Sequence, residues 1–416
     1  GVISFVLPKP GYYVLEIDGY NRPLEIFAQP KRDFAAERKE ANVVFGPGLH
    51  EPTVVKVRSH DRIYIDKDAV VLGSFQLDGV EDVKISGYGI ISGARNRRDN
   101  DHCYREFQAT PIRIIDSRNV VVDGPIVVDS SCWCVDTFNS RDIEIAHVKV
   151  AGQWRYNTDG IDICNSENVW IHDCYVHSFD DTIVLKGIPD DCSSPVRNVR
   201  TERCVLWCSW GRTLELGYET WASEYAGIVF DDCDLIHNSM GAMSVHLGGD
   251  AVVKDVTFSN LRLEYTAAEP EPVYQSRKDL VYVEKKPWAG PMFTATNDKF
   301  EKFAKPDEKP GTFERVTVKN VDVTVEPGAA TPLMAVTGEI SFEKGSKIRL
   351  TGLANLGDNL LGKKVQIGAA DSVSGLDNVT FEGDVAFTDD ARPRLSFISG
   401  KLFVKFGRKG SILLVR

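Results

Sequence analysis

From Val83 onward the chain repeats a short segment in which apolar and polar residues alternate and Asn, Asp, Gly or Ser interrupts the run. Val83-Lys84-Ile85-Ser86, Asn119-Val120-Val121-Val122, Asp142-Ile143-Glu144-Ile145 and Asn168-Val169-Trp170-Ile171 open the series. Asn198-Val199-Arg200-Thr201, Gly227-Ile228-Val229-Phe230 and Asp255-Val256-Thr257-Phe258 continue it. Alternation at period two places one face of each segment in a core and the other toward water, which is the pattern of strands. From Val120 on, the first apolar residues recur at roughly 23 to 30 residues, the size of one solenoid coil. No stretch of a dozen residues carries a helical stripe, and the Leu-x-x-Leu-x-Leu pattern of leucine-rich repeats does not occur. The expected fold is all-β, a parallel β-helix whose coils stack about 4.8 Å apart. Equivalent positions on successive coils then lie side by side.

The ends break the pattern. Residues 1–45, with Tyr12–Ile17 and Pro23–Phe27 spaced for an antiparallel pair, read as a small β-rich cap or accessory region, since solenoids protect their open edges. Residues 46–330 read as the β-helix, interrupted by a Glu-, Lys- and Pro-rich excursion over 264–312 with a hairpin at Leu280–Val283. Residues 331–416 read as less regular coils or a packing segment, in which Leu395–Ile398 and Leu402–Phe406 return against another part of the chain.

Composition narrows the possibilities. At 416 residues the chain exceeds the ~250–300 of one compact core but suits a stack of coils. Its net charge of −11, without a basic tract, gives a phosphate backbone nothing to bind, so nucleic acid is excluded as an expected partner. No apolar run approaches the ~20 residues of a membrane span. The nine cysteines lack zinc-site spacing, and several fall at apolar strand positions, so buried thiols are expected in preference to disulfides. The chain starts at Gly1, so the expectation is a processed, secreted or periplasmic protein whose signal peptide has been removed.

Candidate chemistry concentrates in Asn157-Thr158-Asp159-Gly160-Ile161-Asp162-Ile163 and Phe179-Asp180-Asp181-Thr182-Ile183-Val184-Leu185-Lys186. Asp159 and Asp180 are about one coil apart, so the fold would stack Asp159 beside Asp180 and Asp181. Crowded carboxylates repel, and at least one should hold a proton near neutral pH. A protonated acid beside an ionised base is what glycoside hydrolysis needs. Singly, Asp-Gly and Asp-Asp are ordinary turn residues or calcium ligands. Lys186 follows the pair on an alternating strand and joins the candidates. Glu215 and His246, on later coils, are expected outward if Leu214, Leu216 and Val245 face the core. Trp154 and Arg155, just before Asn157, are the aromatic and cationic residues expected at the cleft, with Trp133, Trp210 and Trp221 as further stacking faces. No metal or organic cofactor is required.

Asn-Thr-Asp-Gly followed by Asp-Asp resembles glycoside hydrolase family 28, the polygalacturonases and their relatives. The likeness runs from about Val43 to His246 and includes Val70–Gly73, Gly87–Gly93 and Ser130–Trp133. It implies a right-handed parallel β-helix and hydrolysis with inversion. By position, Asp181 resembles the general acid, Asp159 and Asp180 resemble the carboxylates that activate water, and Asn157 the asparagine opening the motif. Arg212 stands where the family's Gly-His-Gly histidine is expected. Neither residue of the family's Arg-Ile-Lys occurs in Gly241–His246. That pair grips a galacturonate carboxylate, so plain polygalacturonate is not the expected substrate, and a neutral or differently charged glycan is. A more distant similarity joins the dextranase and isopullulanase family, family 49.

The expected partner is therefore a polysaccharide or oligosaccharide. Two other readings stand beside hydrolysis: a lyase or epimerase, with Lys186 and Arg212 neutralising a uronate, and a non-catalytic glycan-binding β-helix.

Overall fold

The computed structural model describes residues 3–16, 23–96, 110–189, 194–265, 290–297, 309 and 311–325, followed by shorter stretches from 334 to 415. The repeated segments are strands, and each pairs in parallel with its equivalent one coil away. Val83, Val120, Ile143, Val169, Val199, Ile228 and Val256 stand in direct register from coil to coil. All seven are buried in the main core. The column is built of β-branched Val and Ile alone, and each fully buried Val or Ile contributes about 1.5–3 kcal/mol. Phe230 and Phe258 continue the neighbouring column with rings 5.0 Å apart at 17°.

Each coil uses three strands. One sheet contains Arg118–Asp123, Arg141–Ala146 and Glu167–His172. The second contains Ile126–Val128, Lys149–Val150 and Tyr175–Ser178. The third contains Ile112–Ile115, Val135–Phe138, Ile161–Cys164, Ile183–Gly187, Arg212–Thr220 and Gly241–His246. The corners explain the polar punctuation. Asn119, Asp142, Asn168 and Asn198 adopt left-handed φ values of 53–56°, a region Asn and Asp tolerate better than other side chains. Their side chains form rungs of a ladder: the Asn168 amide donates to Asp142 Oδ1 at 2.9 Å and the Asn198 amide to Asn168 Oδ1 at 3.1 Å.

The N-terminal antiparallel pair, Gly11–Leu15 with Leu24–Ala28, lies along the second sheet. The Tyr12 hydroxyl donates to the Asp173 carbonyl at 2.7 Å. His177 Nδ1 lies 2.6 Å from Glu25, and His237 Nε2 lies 2.5 Å from Glu16. Trp207 is buried between those two imidazoles. At the other end, Lys401–Lys405 pairs antiparallel with both Arg394–Ile398 and Lys364–Ala369, and Leu402 enters the core.

Two expectations are corrected. The 264–312 excursion is not continuous, because Phe293–Thr296 is a coil strand paired with Met243–His246; the expected hairpin at 280–283 lies outside the described residues. Six cysteines are free and buried as expected, but Cys132 is disulfide-bonded, to a partner outside the described residues. Among the described residues no helix is long and apolar enough to cross a membrane.

Candidate active site

Strand alternation turns two rows of the third sheet away from the main core; one holds Ile115, Phe138, Cys164 and Lys186, and the other precedes it by two residues on each strand. Read along the stack, that row is Arg113, Asp136, Asp162, Val184, Glu215, Ser244 and Thr294. All are buried, although a row of this polarity would ordinarily face water. Part of the cover is a second apolar cluster containing Cys132, Trp133, Phe138 and Ile188. Beneath it, the Arg113 guanidinium is bidentate on Asp136 at 2.6–3.0 Å, with both side chains fully buried.

The turn before each strand of this sheet carries the three aspartates. Gly160 N–H donates to the Asp181 carbonyl at 2.8 Å and Ile161 N–H to Thr182 at 2.9 Å, so the Asp159 turn stacks directly under the Asp180–Asp181 turn. Thr182 N–H donates to the Arg212 carbonyl at 2.8 Å, which sets the third layer. Within the stack, Asp180 Oδ1 accepts the Asp181 N–H at 3.1 Å, and Asp181 Oδ1 accepts the Arg212 N–H at 2.8 Å. Gly211 permits this approach: a Cβ there would sit 2.5 Å from Asp181 Oδ1 and 2.6 Å from Asp180 Oδ1. Asp159 is 2% exposed and Asp180 8%, while Asp181 is partly exposed and forms the mouth of the cluster.

Lys186 lies under the aspartates. Its ammonium is 2.7 Å from both Asp159 Oδ2 and Asp162 Oδ1 and 4.0 Å from the centre of the Trp133 ring. Burial works against its charge, but Asp159 and Asp162 outweigh burial and hold it charged. Asp159 Oδ1 and Asp162 Oδ2 are buried with no hydrogen-bond partner among the described residues. One cation thus serves several carboxyls. Burial pushes Asp162 well up, with the charge of Asp159 adding to it. Burial, then Asp159, brings Asp180 up to about 8. Burial, then Glu215 and Asp180, pushes Asp181 well up.

Glu215 is the opposite case. Burial alone would raise it, but Arg212 and the hydrogen bond to His246 overcome burial and hold it at about 2. Arg212 reaches its carboxylate at 3.6 Å and His246 Nδ1 at 2.9 Å. His246 Nε2 lies 3.0 Å from the Thr294 hydroxyl, and its ring stacks on Tyr218 at 4.9 Å. Arg212 lies over the same Tyr218 ring at 4.9 Å.

The structure therefore brings Asp159, Asp180, Asp181, Lys186, Arg212, Glu215 and His246 into one cluster. It corrects the expected surroundings of three of them. Lys186 is locked between two carboxylates instead of reaching for substrate, and Glu215 and His246 are buried partners of each other instead of lining an open wall. Asn157 adopts φ 58°, so its turn conformation suits asparagine. Trp154 is 48% exposed, donates to Asp129 at 3.2 Å and carries Arg155 over its ring at 4.9 Å. Trp210 stacks on Phe179 and meets Tyr156 edge-on at 5.3 Å, which builds an aromatic wall next to Asp180. Sequence reasoning quoted Asp162 within the candidate stretch but gave it no role, and it gave none to Tyr218. Asp162 has a legible signal, since it follows Asp159 by three residues on an alternating strand; Tyr218 has none. Among the described residues no three His, Cys, Asp or Glu side chains are arranged to hold a metal ion.

The profile of Glycosyl hydrolases family 28 matches residues 27–287, well over half of the chain. The chain is 25% identical over 220 residues to a probable exopolygalacturonase B of Aspergillus terreus, covering 46% of this chain and 47% of that one. It is 24% identical over 174 residues to rhamnogalacturonase A of Emericella nidulans, covering 42% and 31%. The chain thus spans about half the length, or less, of these curated relatives. The fold is similar to the family 28 exopolygalacturonase of Yersinia enterocolitica, with TM-score 0.51 and 12% identity over 82% of this chain and 72% of that one. It is also similar to the polygalacturonase of Erwinia carotovora, with TM-score 0.50 and 16% identity over 80% and 86%. At these identities the likeness establishes the fold alone, a right-handed parallel β-helix.

Proposed function

The chain belongs to glycosyl hydrolases family 28, and from that premise we propose that it cleaves O-glycosidic bonds of a pectin-type polysaccharide by acid and base catalysis, with inversion. The observation that carries this reading is the stacking of the Asp159 turn under the Asp180–Asp181 turn, with Asp180 raised to about 8. The two adjacent aspartates titrate as a unit, and that unit delivers the proton to the leaving oxygen. Glu215, ionised by Arg212 and His246, faces the pair with fixed negative charge and keeps a proton on it. Burial raises Asp159 and the Lys186 ammonium opposes that rise; in its ionised form Asp159 polarises the attacking water. Lys186 is a positioning residue, because both of its carboxylate contacts are intramolecular. An inverting reaction wants ~6.5–9.5 Å between acid and base; the side chains must therefore diverge beyond the ~4.8 Å of stacked backbones. Trp210 and the exposed face of Trp154 offer stacking surfaces to sugar rings.

The substrate reading rests on what Gly241–His246 lacks. Without the Arg and Lys of that motif, and with Arg212 engaged by Glu215 and Tyr218, nothing there is built to grip a galacturonate carboxylate. A pectic backbone that places neutral sugars at the cleaved bond fits better than plain polygalacturonate. Such substrates are met outside the cytoplasm, and the protein is assigned a secreted or periplasmic location. The test is a panel of pectic polysaccharides assayed for reducing ends and for absorbance in the near ultraviolet. Reducing ends without new absorbance are expected. An unsaturated, absorbing product would replace hydrolysis with a lyase reaction.

A further inference from the structure

A cavity of about 690 Å³ lies between the segment around residues 27–38 and the flank of the coils. Its base is Lys149, on the second sheet, whereas the aspartate cluster belongs to the third. Aromatic side chains, including Phe34, Tyr64 and Tyr88, form its walls, and Phe34 meets Tyr88 edge-on at 4.8 Å. Five cationic side chains line it against two acidic ones, in a chain whose net charge is −11.

Lys149 is 1% exposed. Its ammonium donates to the Gly124 carbonyl and to Gln29 Oε1 at 3.2 Å, and it sits 4.3 Å from the centre of the Tyr88 ring. It forms no salt bridge among the described residues. The acid whose charge reaches it, Asp123 at the end of a first-sheet strand, is already taken by Arg32 through two hydrogen bonds of 2.6 Å and by His147 at 3.0 Å. Buried ammonium groups are ordinarily paired, because an unpaired charge in an apolar site is costly. Among the described residues no carboxylate is paired with this ammonium, and the cavity it lines has space for one.

We infer that this cavity is a second carbohydrate site, one that holds a hexuronate with its carboxylate on Lys149 and its ring against the aromatic walls. The ring face of a pyranose matches aromatic walls, and a carboxylate matches a desolvated ammonium. Burial brings Lys149 down to about 7 in the empty cavity, with Cys174 and Asp123 opposing, so a bound carboxylate would draw a proton onto it. Such a site would retain an acidic pectic chain or product on the flank of the enzyme while the aspartates act elsewhere. The choice of a uronate rests on the pectic substrate reading; the site itself does not.

The test reads Lys149 directly in the intact protein, by reductive methylation near neutral pH followed by peptide mass spectrometry, with D-galacturonate as the probe. The expected result is labelling at Lys149 that D-galacturonate slows about tenfold at ten times its dissociation constant, while D-galactose and sulfate leave the rate unchanged. No protection by galacturonate, equal protection by galactose or sulfate, or no labelling of the free protein would each overturn the proposal. Because the readout is not turnover, failure here is distinguishable from failure of the hydrolase reading.

Discussion

Asp180 and Glu215 are both buried carboxyls on neighbouring coils, yet one stands at about 8 and the other at about 2. The difference is in their neighbours: Asp180 has the charge of Asp159 beside it, whereas Glu215 has Arg212 and His246. The two make opposite contributions to stability. Asp180, raised from 3.8, favours the folded state fully below about pH 4 and loses that contribution as pH rises toward 8. Glu215, lowered from 4.5, favours the folded state above that value and loses its contribution as pH falls toward 2. Asp180→Asn should therefore flatten the fall in Tm between pH 4 and 8, measured by thermal unfolding across that range; an unchanged slope would remove the assignment. Lys186→Met leaves Asp159 and Asp162 buried without their cation and should cost about 3–5 kcal/mol in denaturant unfolding, more at pH 8 than at pH 5, where the carboxyls can protonate. The three aspartates were legible because one-coil spacing is visible in a linear sequence. The pairing of Lys186 with Asp162, and of His246 with Glu215, was not, since alternation tells which residues point away from the core but not whether other side chains cover them.

At the scale of the element, the chemistry depends on turns that let backbones approach. Gly211 is the clearest case, because a methyl group there collides with both members of the aspartate pair. Gly211→Ala should lower kcat by an order of magnitude or more while the coil strands, and the far-ultraviolet circular dichroism, remain; a wild-type kcat would show that the pair does not need this packing. At the corners, Asn168→Ala removes a ladder hydrogen bond on each side and a residue that tolerates the left-handed turn, and should cost about 1–2 kcal/mol in denaturant unfolding. The Asn, Asp and Gly punctuation announced these corners in advance. The strand Phe293–Thr296 was hidden inside the expected excursion because its surroundings are rich in charge and proline and its alternation, Phe-Thr-Ala-Thr, runs for only four residues.

Among the described residues the strands of each coil pair with those of the adjoining coil, so ties that leave this pattern stand out. The N-terminal hairpin supplies one set of them, through Glu25 with His177 and Glu16 with His237, on either side of Trp207. The spacing of its strands was readable, but its docking place was not, because a solenoid flank carries no sequence mark for the element that will cover it. The stack also fixes the order of the site: Asp159, then Asp180 and Asp181, then Arg212 and Glu215, one layer after another. The most direct measurement is the initial rate of reducing-end release from the pectic polysaccharide the wild type cleaves best, compared among wild type, Asp180→Asn and Asp181→Asn, each with native circular dichroism. The account predicts a loss of about 100- to 10,000-fold in both variants; folded variants that retain the wild-type rate would contradict it.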